Sequence, residues 1–133
     1  VVALEAWFDG DTDEPAIINT AAELDTVLDT VAGWGGRHVV ELLLADDPGH
    51  AIFDVAIDGE QERGALYYSA RNRETWFSKG TDTAAGTPIY FYMSSPTEYP
   101  VDGELPLDVV RRAAHEYMTS GGARPTGIEW QPR

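Results

Sequence analysis

Apolar positions along this chain change their period several times, and each change marks an element. Val2 to Phe8 shows mixed alternation and predicts a strand. "DGDTDEP", Asp9 to Pro15, then breaks the pattern with turn residues: Gly10 permits positive φ, and Asp side chains accept from turn amides. "AIINT" reads as a second short strand, and the two predict an N-terminal hairpin. "TAAE", Thr20 to Glu23, forms a capping box, with the Thr20 hydroxyl accepting from the Glu23 amide and Glu23 reaching back to the Thr20 amide. Leu24, Val27, Leu28 and Val31 follow at helical spacing, and "GWGG" stops that helix near Gly33. Asp25 and Asp29 fall on its opposite face, where solvent is the expected environment.

From His38 the period becomes that of strands. "HVVELLLA" is nearly continuous and reads as a central strand, and "AIFDVAID" alternates after the turn "DDPGH". "RGALYYSA" and "ETWFSKG" flank "RNR", which reads as a hairpin tip. "TPIYFYMSS" adds another strand rich in residues that suit a pleated surface. Short loops between neighbours imply an antiparallel meander. A second helix begins at "ELPLDVV", with Pro106 in its first turn, Asp108 at its positive end, and Leu107, Val110, Ala114, Tyr117 and Met118 as its buried face. Gly121 and Gly122 end it, and "TGIEWQ" forms a closing strand. The fold class is therefore α+β: a mostly antiparallel, multi-stranded sheet with two helices packed on one face, as one domain over residues 1–133.

Composition narrows the function. Acidic residues number 23 against 9 basic ones, a formal charge of −14. Nucleic acids and anionic membrane surfaces would be repelled, so neither is an expected partner; a basic protein is. No apolar run is long enough to cross a bilayer, and no charged-then-apolar leader opens the sequence. The absence of cysteine excludes disulfides and thiol chemistry and suits a reducing cytoplasm, the expected location.

The alternating acids Asp9, Asp11 and Asp13 invite comparison with a calcium loop. Counted from Asp9, the sixth position needs glycine and holds Glu14, and the twelfth needs glutamate and holds Thr20, so the match fails. His38, His50 and His115 lack ligand spacing, so no metal or cofactor is expected. A nucleophile elbow, a P-loop and a dinucleotide fingerprint are all missing, which points away from an enzyme. Aromatic residues carry more information. Alternation places Tyr67 and Tyr68 on opposite sheet faces, and likewise Trp76 and Phe77, while Tyr90 and Tyr92 share the side opposite Phe91. Tyr and Trp among scattered acids suit a protein interface.

"GDTDEPAIINTAAELDTVL", "RGALYYSARNRETWFSKG", "TEYP" before the "ELPL" helix start, and "RPTGIEW" occur in an order that resembles the first-numbered immunity family of bacterial polymorphic toxin systems, over nearly the whole chain. The resemblance implies a non-enzymatic inhibitor that binds a cognate toxin, often a nucleic-acid deaminase and sometimes a nuclease. It implies no catalytic residue. The surface expected to meet a basic toxin cleft comprises Asp11 and Asp13 of the acidic turn, Tyr68 and Trp76 on paired strands, and Glu98 and Tyr99 of "TEYP". An acidic adaptor or secretion chaperone, and a small-molecule-binding α+β domain, are the alternatives.

Overall fold

Ten strands and two helices make up the computed structural model, which describes residues 2–133. The N-terminal hairpin forms as expected, β1 (Leu4–Trp7) pairing antiparallel with β2 (Ala16–Ile18). Helix α1 (Ala21–Gly33) follows, capped by the Thr20 hydroxyl, which accepts from the Glu23 amide at 3.1 Å. The return arm of the cap differs from the expected box: the Glu23 carboxylate accepts from the Asn19 amide, not that of Thr20.

Strands β3 (Arg37–Leu44), β4 (Ala51–Asp58), β5 (Arg63–Ala70) and β6 (Thr75–Lys79) form an antiparallel meander, and β10 (Glu129–Pro132) closes its far edge on β6. On the near edge β3 also pairs with β1. The remaining strands are β7 (Ile89–Tyr92), β8 (Ser95–Glu98) and the two-residue β9 (Leu105–Pro106), which leads into α2 (Leu107–Thr119).

The meander expectation breaks at β7. With β10 on the edge of β6, the chain crosses the sheet, and β7 joins β3 in parallel at His38–Phe91 before turning back as β8. The sheet is consequently buried on both sides. Both helices cover one face, where Leu24, Leu28, Val31, Val110, Ala114 and Tyr117 pack on Val40, Leu42, Phe53, Val55 and Leu66. The crossing segment covers the other, packing Tyr90 and Tyr99 on Val39, Ala56 and Ala65. Burial of these apolar surfaces, at roughly 25 cal/mol per Å², is the main favourable term for both layers.

Polar clamps hold the layers in place. Asp25 and Asp29 keep much of their side chains in solvent, as expected, and also tie α1 to α2: Arg111 binds Asp25 at 3.1 Å and also binds Asp29, while the His115 ring lies 2.8 Å from Asp25. The His115 contact is the main reason the Asp25 carboxyl titrates below its ordinary range. On the other side, Tyr90 donates to Glu104 at 2.6 Å, and Arg37 joins the buried Asp58 at 3.2 Å. Among the described residues, no helix is long and apolar enough to cross a membrane.

Candidate partner-binding site

The acidic turn between β1 and β2 is ordered by its own side chains. Asp9 Oδ1 accepts from the Asp11 amide at 2.9 Å, and the Thr12 hydroxyl accepts from the Glu14 amide at 3.2 Å. Asp9 is thus spent on turn geometry, while Asp11, Asp13 and Glu14 stay exposed. A hollow of about 610 Å³ lies beneath them, lined in part by Trp7, Phe8, Asp13 and Glu14. The turn lies against the β7–β8 connection, since a Cβ on Gly10 would rest 3.5 Å from Met93 Cβ.

Next to this turn stands an aromatic platform. Strand alternation sends Phe8 to the helix side, and α1 ends at Trp34, which packs on Phe8 with ring centroids 5.8 Å apart. Trp34 also meets His38 edge-on, and the His38 ring in turn bonds the Gly35 carbonyl at 2.7 Å. Phe91, the register partner of His38, lies on the same side of the sheet. Trp34 remains 47% exposed and Phe91 43% exposed. The backbone around Trp34 is restrained too, because Glu60 accepts from the Gly36 amide at 3.1 Å. The result is a preorganised apolar surface rimmed by carboxylates.

The residues singled out in the sequence separate in space. Asp11 and Asp13 are on the acidic turn. Tyr68 is only 5% exposed: it packs on Phe53 and Tyr117 and donates to the Gly122 carbonyl at 2.7 Å. Tyr99 is 2% exposed, edge-on to Tyr90, with burial raising its hydroxyl well above the ordinary tyrosine range. Both rings belong to core layers, which corrects the expectation that they offer contact surface; Tyr68 lies under the helices, and Tyr99 points from the crossing segment into the sheet. Trp76 is partly buried on the helix side, its ring covered by the Arg124 guanidinium at 4.3 Å. Glu98 is exposed at the end of β8, where it lines a groove with Asp54, Tyr67 and Phe77.

Sequence reasoning missed Trp34, Phe91 and Phe8 as a group. The available signal was a large aromatic inside a glycine run, "GWGG", where no periodicity assigns it to a core.

The face away from the helices holds a second feature. Glu41 and Asp54 are register partners, so two carboxylates stand side by side. Tyr92 donates to Glu41 at 3.2 Å, whereas no nitrogen or hydroxyl donates to the buried Asp54 Oδ1, although the residue as a whole keeps partial exposure. Burial, then the charge and hydrogen bond of Glu41, raises the Asp54 carboxyl well above the usual range. A groove of about 570 Å³ opens over it, lined by Asp54, Tyr67, Phe77, Pro96, Glu98 and Arg133 with Thr97.

Among the described residues, no three histidines or acids converge as a metal-holding group. The model of the family described as Immunity protein Imm1 matches residues 12–132, nearly the whole chain. No curated protein matches it.

Proposed function

Because this chain belongs to the Imm1 family of immunity proteins, we propose that it neutralises a cognate toxin by covering a basic, nucleic-acid-acting cleft with the acidic turn and the aromatic platform. One observation carries the choice of surface: Trp34, nearly half exposed, packs on Phe8 at the start of the turn that carries Asp11, Asp13 and Glu14, and Gly10 of that turn lies against Met93, two residues after the similarly exposed Phe91.

The physical logic has two parts. A toxin that acts on DNA or RNA needs a positively charged groove for phosphates, and a deaminase also needs an open base pocket beside a metal-activated water. A partner with net charge −14 is steered toward such a groove, and its exposed carboxylates occupy the positions of phosphates. Charge of this kind mainly raises the association rate. Residence time depends on aromatic anchors that enter the groove and exclude water. The inhibitor performs no chemistry in this reading; it acts by binding, in the cytoplasm of the toxin-producing cell.

The test is co-expression with the toxin domain encoded beside this protein. Survival of cells that otherwise die, together with a stable complex and loss of deamination or nuclease activity in vitro, is the expected result. A toxin that remains lethal, with no complex at low salt, overturns the proposal.

A further inference from the structure

The groove over Asp54 is not used by the acidic turn or the aromatic platform, and its composition is unusual for a wet surface cleft. At its floor the Asp54 carboxyl lies beside that of Glu41 and is hydrogen-bonded to it, while no nitrogen or hydroxyl donates to the buried Asp54 Oδ1. Among the described residues only Tyr92 donates to this pair of carboxyls, so they hold more acceptor sites than donors, and buried acceptors are normally satisfied. Tyr67 and Phe77 form an aromatic wall, their centroids 5.3 Å apart, and Glu98 adds a second carboxylate to the lining. Arg133 of this chain already lies against that wall, with its guanidinium carbon 5.7 Å from the Tyr67 centroid and 6.0 Å from that of Phe77. Among the described residues no ion pair joins Arg133 to Asp54 or Glu98, so the resident cation occupies the wall without reaching the floor.

We propose that this groove is a socket for an arginine side chain of the bound toxin, stacked on Tyr67 and Phe77 and donating to Asp54 and Glu98. The occupant rests on the toxin-binding reading above. A guanidinium fits better than an ammonium: it is planar, stacks on aromatic rings, gives up hydration more readily, and presents several donors in a fork that two carboxylates at different depths satisfy together. The groups facing Asp54 are Glu41 from β3, Tyr67 from β5, Tyr92 from β7, Glu98 and Tyr99 from the end of β8 onward, and Arg133 after β10. Since the acids and burial favour protonated Asp54 in the empty groove, an entering cation displaces that proton, and binding strengthens as pH rises through the titration of Asp54.

The experiment titrates the full chain with acetyl-arginine-amide, using the acetyl amides of lysine and of citrulline as controls, and follows side-chain NMR signals. The arginine probe is expected to shift Asp54, Tyr67 and Phe77, lysine to bind more weakly, and citrulline not at all. Asp54→Asn weakens the arginine probe about tenfold, the size of a lost charged hydrogen bond. Arg133→Ala, an exposed change that removes the resident cation, tightens it several-fold. No response at Asp54, an equal response to citrulline, or unchanged affinity in Asp54→Asn overturns the socket, leaving at most an ordered water there.

The toxin itself separates the two proposals. Equal affinity of toxin for wild type and Asp54→Asn removes the toxin as donor of the arginine and leaves neutralisation intact. A toxin that binds neither protein, while the arginine probe still binds, overturns neutralisation and with it the toxin as occupant.

Discussion

Trp34 stands edge-on to His38, ring centroids 5.3 Å apart and planes at 87°, while nearly half of Trp34 remains in solvent. One edge of the ring is fixed by the protein and the rest is available, the condition for an anchor that loses little entropy on binding. Trp34→Ala is expected to cost at least about 2 kcal/mol of toxin affinity, with Phe91→Ala acting in the same direction. Calorimetric titration checks the affinity. Urea unfolding is expected to show a change of no more than about 1 kcal/mol, because so much of each ring is already in water.

The exposed acids act differently. Asp11→Asn with Asp13→Asn should lower the association rate and flatten its dependence on ionic strength, while affinity falls by about 1 kcal/mol or less per charge. Stopped-flow binding at several salt concentrations reads both quantities. An equal loss at low and high salt would show that these carboxylates make desolvated contacts, not steering ones.

Tyr68 joins the sheet to the chain after α2 through its bond to the Gly122 carbonyl, 54 positions away. Tyr68→Phe leaves that buried carbonyl without its donor and is expected to cost about 1–2 kcal/mol of stability. Tyr68→Ala also opens a cavity among Phe53, Trp76 and Tyr117 and should cost about 3–5 kcal/mol. Denaturant unfolding measures both. Toxin affinity per folded molecule should stay unchanged, because the ring lies inside.

Asp54 gives a pH signature opposite to that of a salt-bridged acid. Its native carboxyl is raised above the unfolded value, so the native state holds a proton that the unfolded chain releases. The associated stability is complete below about pH 4, the unfolded titration range, and is lost as pH rises through the raised native value. Asp54→Asn is uncharged throughout. It should therefore exceed wild type in stability at neutral pH, with the advantage shrinking toward pH 3. Thermal melts across this range provide the check, and a variant less stable than wild type at pH 7 would contradict the assignment.

Gly59 sits where the turn after β4 meets α1, and a Cβ there would overlap the Ala32 carbonyl. Gly59→Ala must push the end of α1 outward and should cost at least about 2 kcal/mol. The displaced helix end carries Trp34, so toxin affinity is expected to fall together with stability. Parallel unfolding and binding measurements distinguish this from Trp34→Ala, which lowers affinity alone.

Local pattern was enough to determine most of the elements. The capping residue Thr20, the spacing of Leu24, Leu28 and Val31, and the alternation in "AIFDVAID" and "RGALYYSA" act through neighbours in sequence, so they specify helices, strands and that Tyr67 and Tyr68 face opposite sides of the sheet, though not which of them meets the helices. Net charge likewise follows from composition and pointed to a basic partner. Only the tertiary structure decided what lies over each face. The crossing segment that places β7 beside β3 buries Tyr99, leaves Phe91 next to His38, and closes a groove above Asp54. Those outcomes depend on which edge β10 occupies and on contacts between residues far apart in the chain. Periodicity reports that a side chain faces one side of a sheet; it carries no information about whether another segment will cover that side.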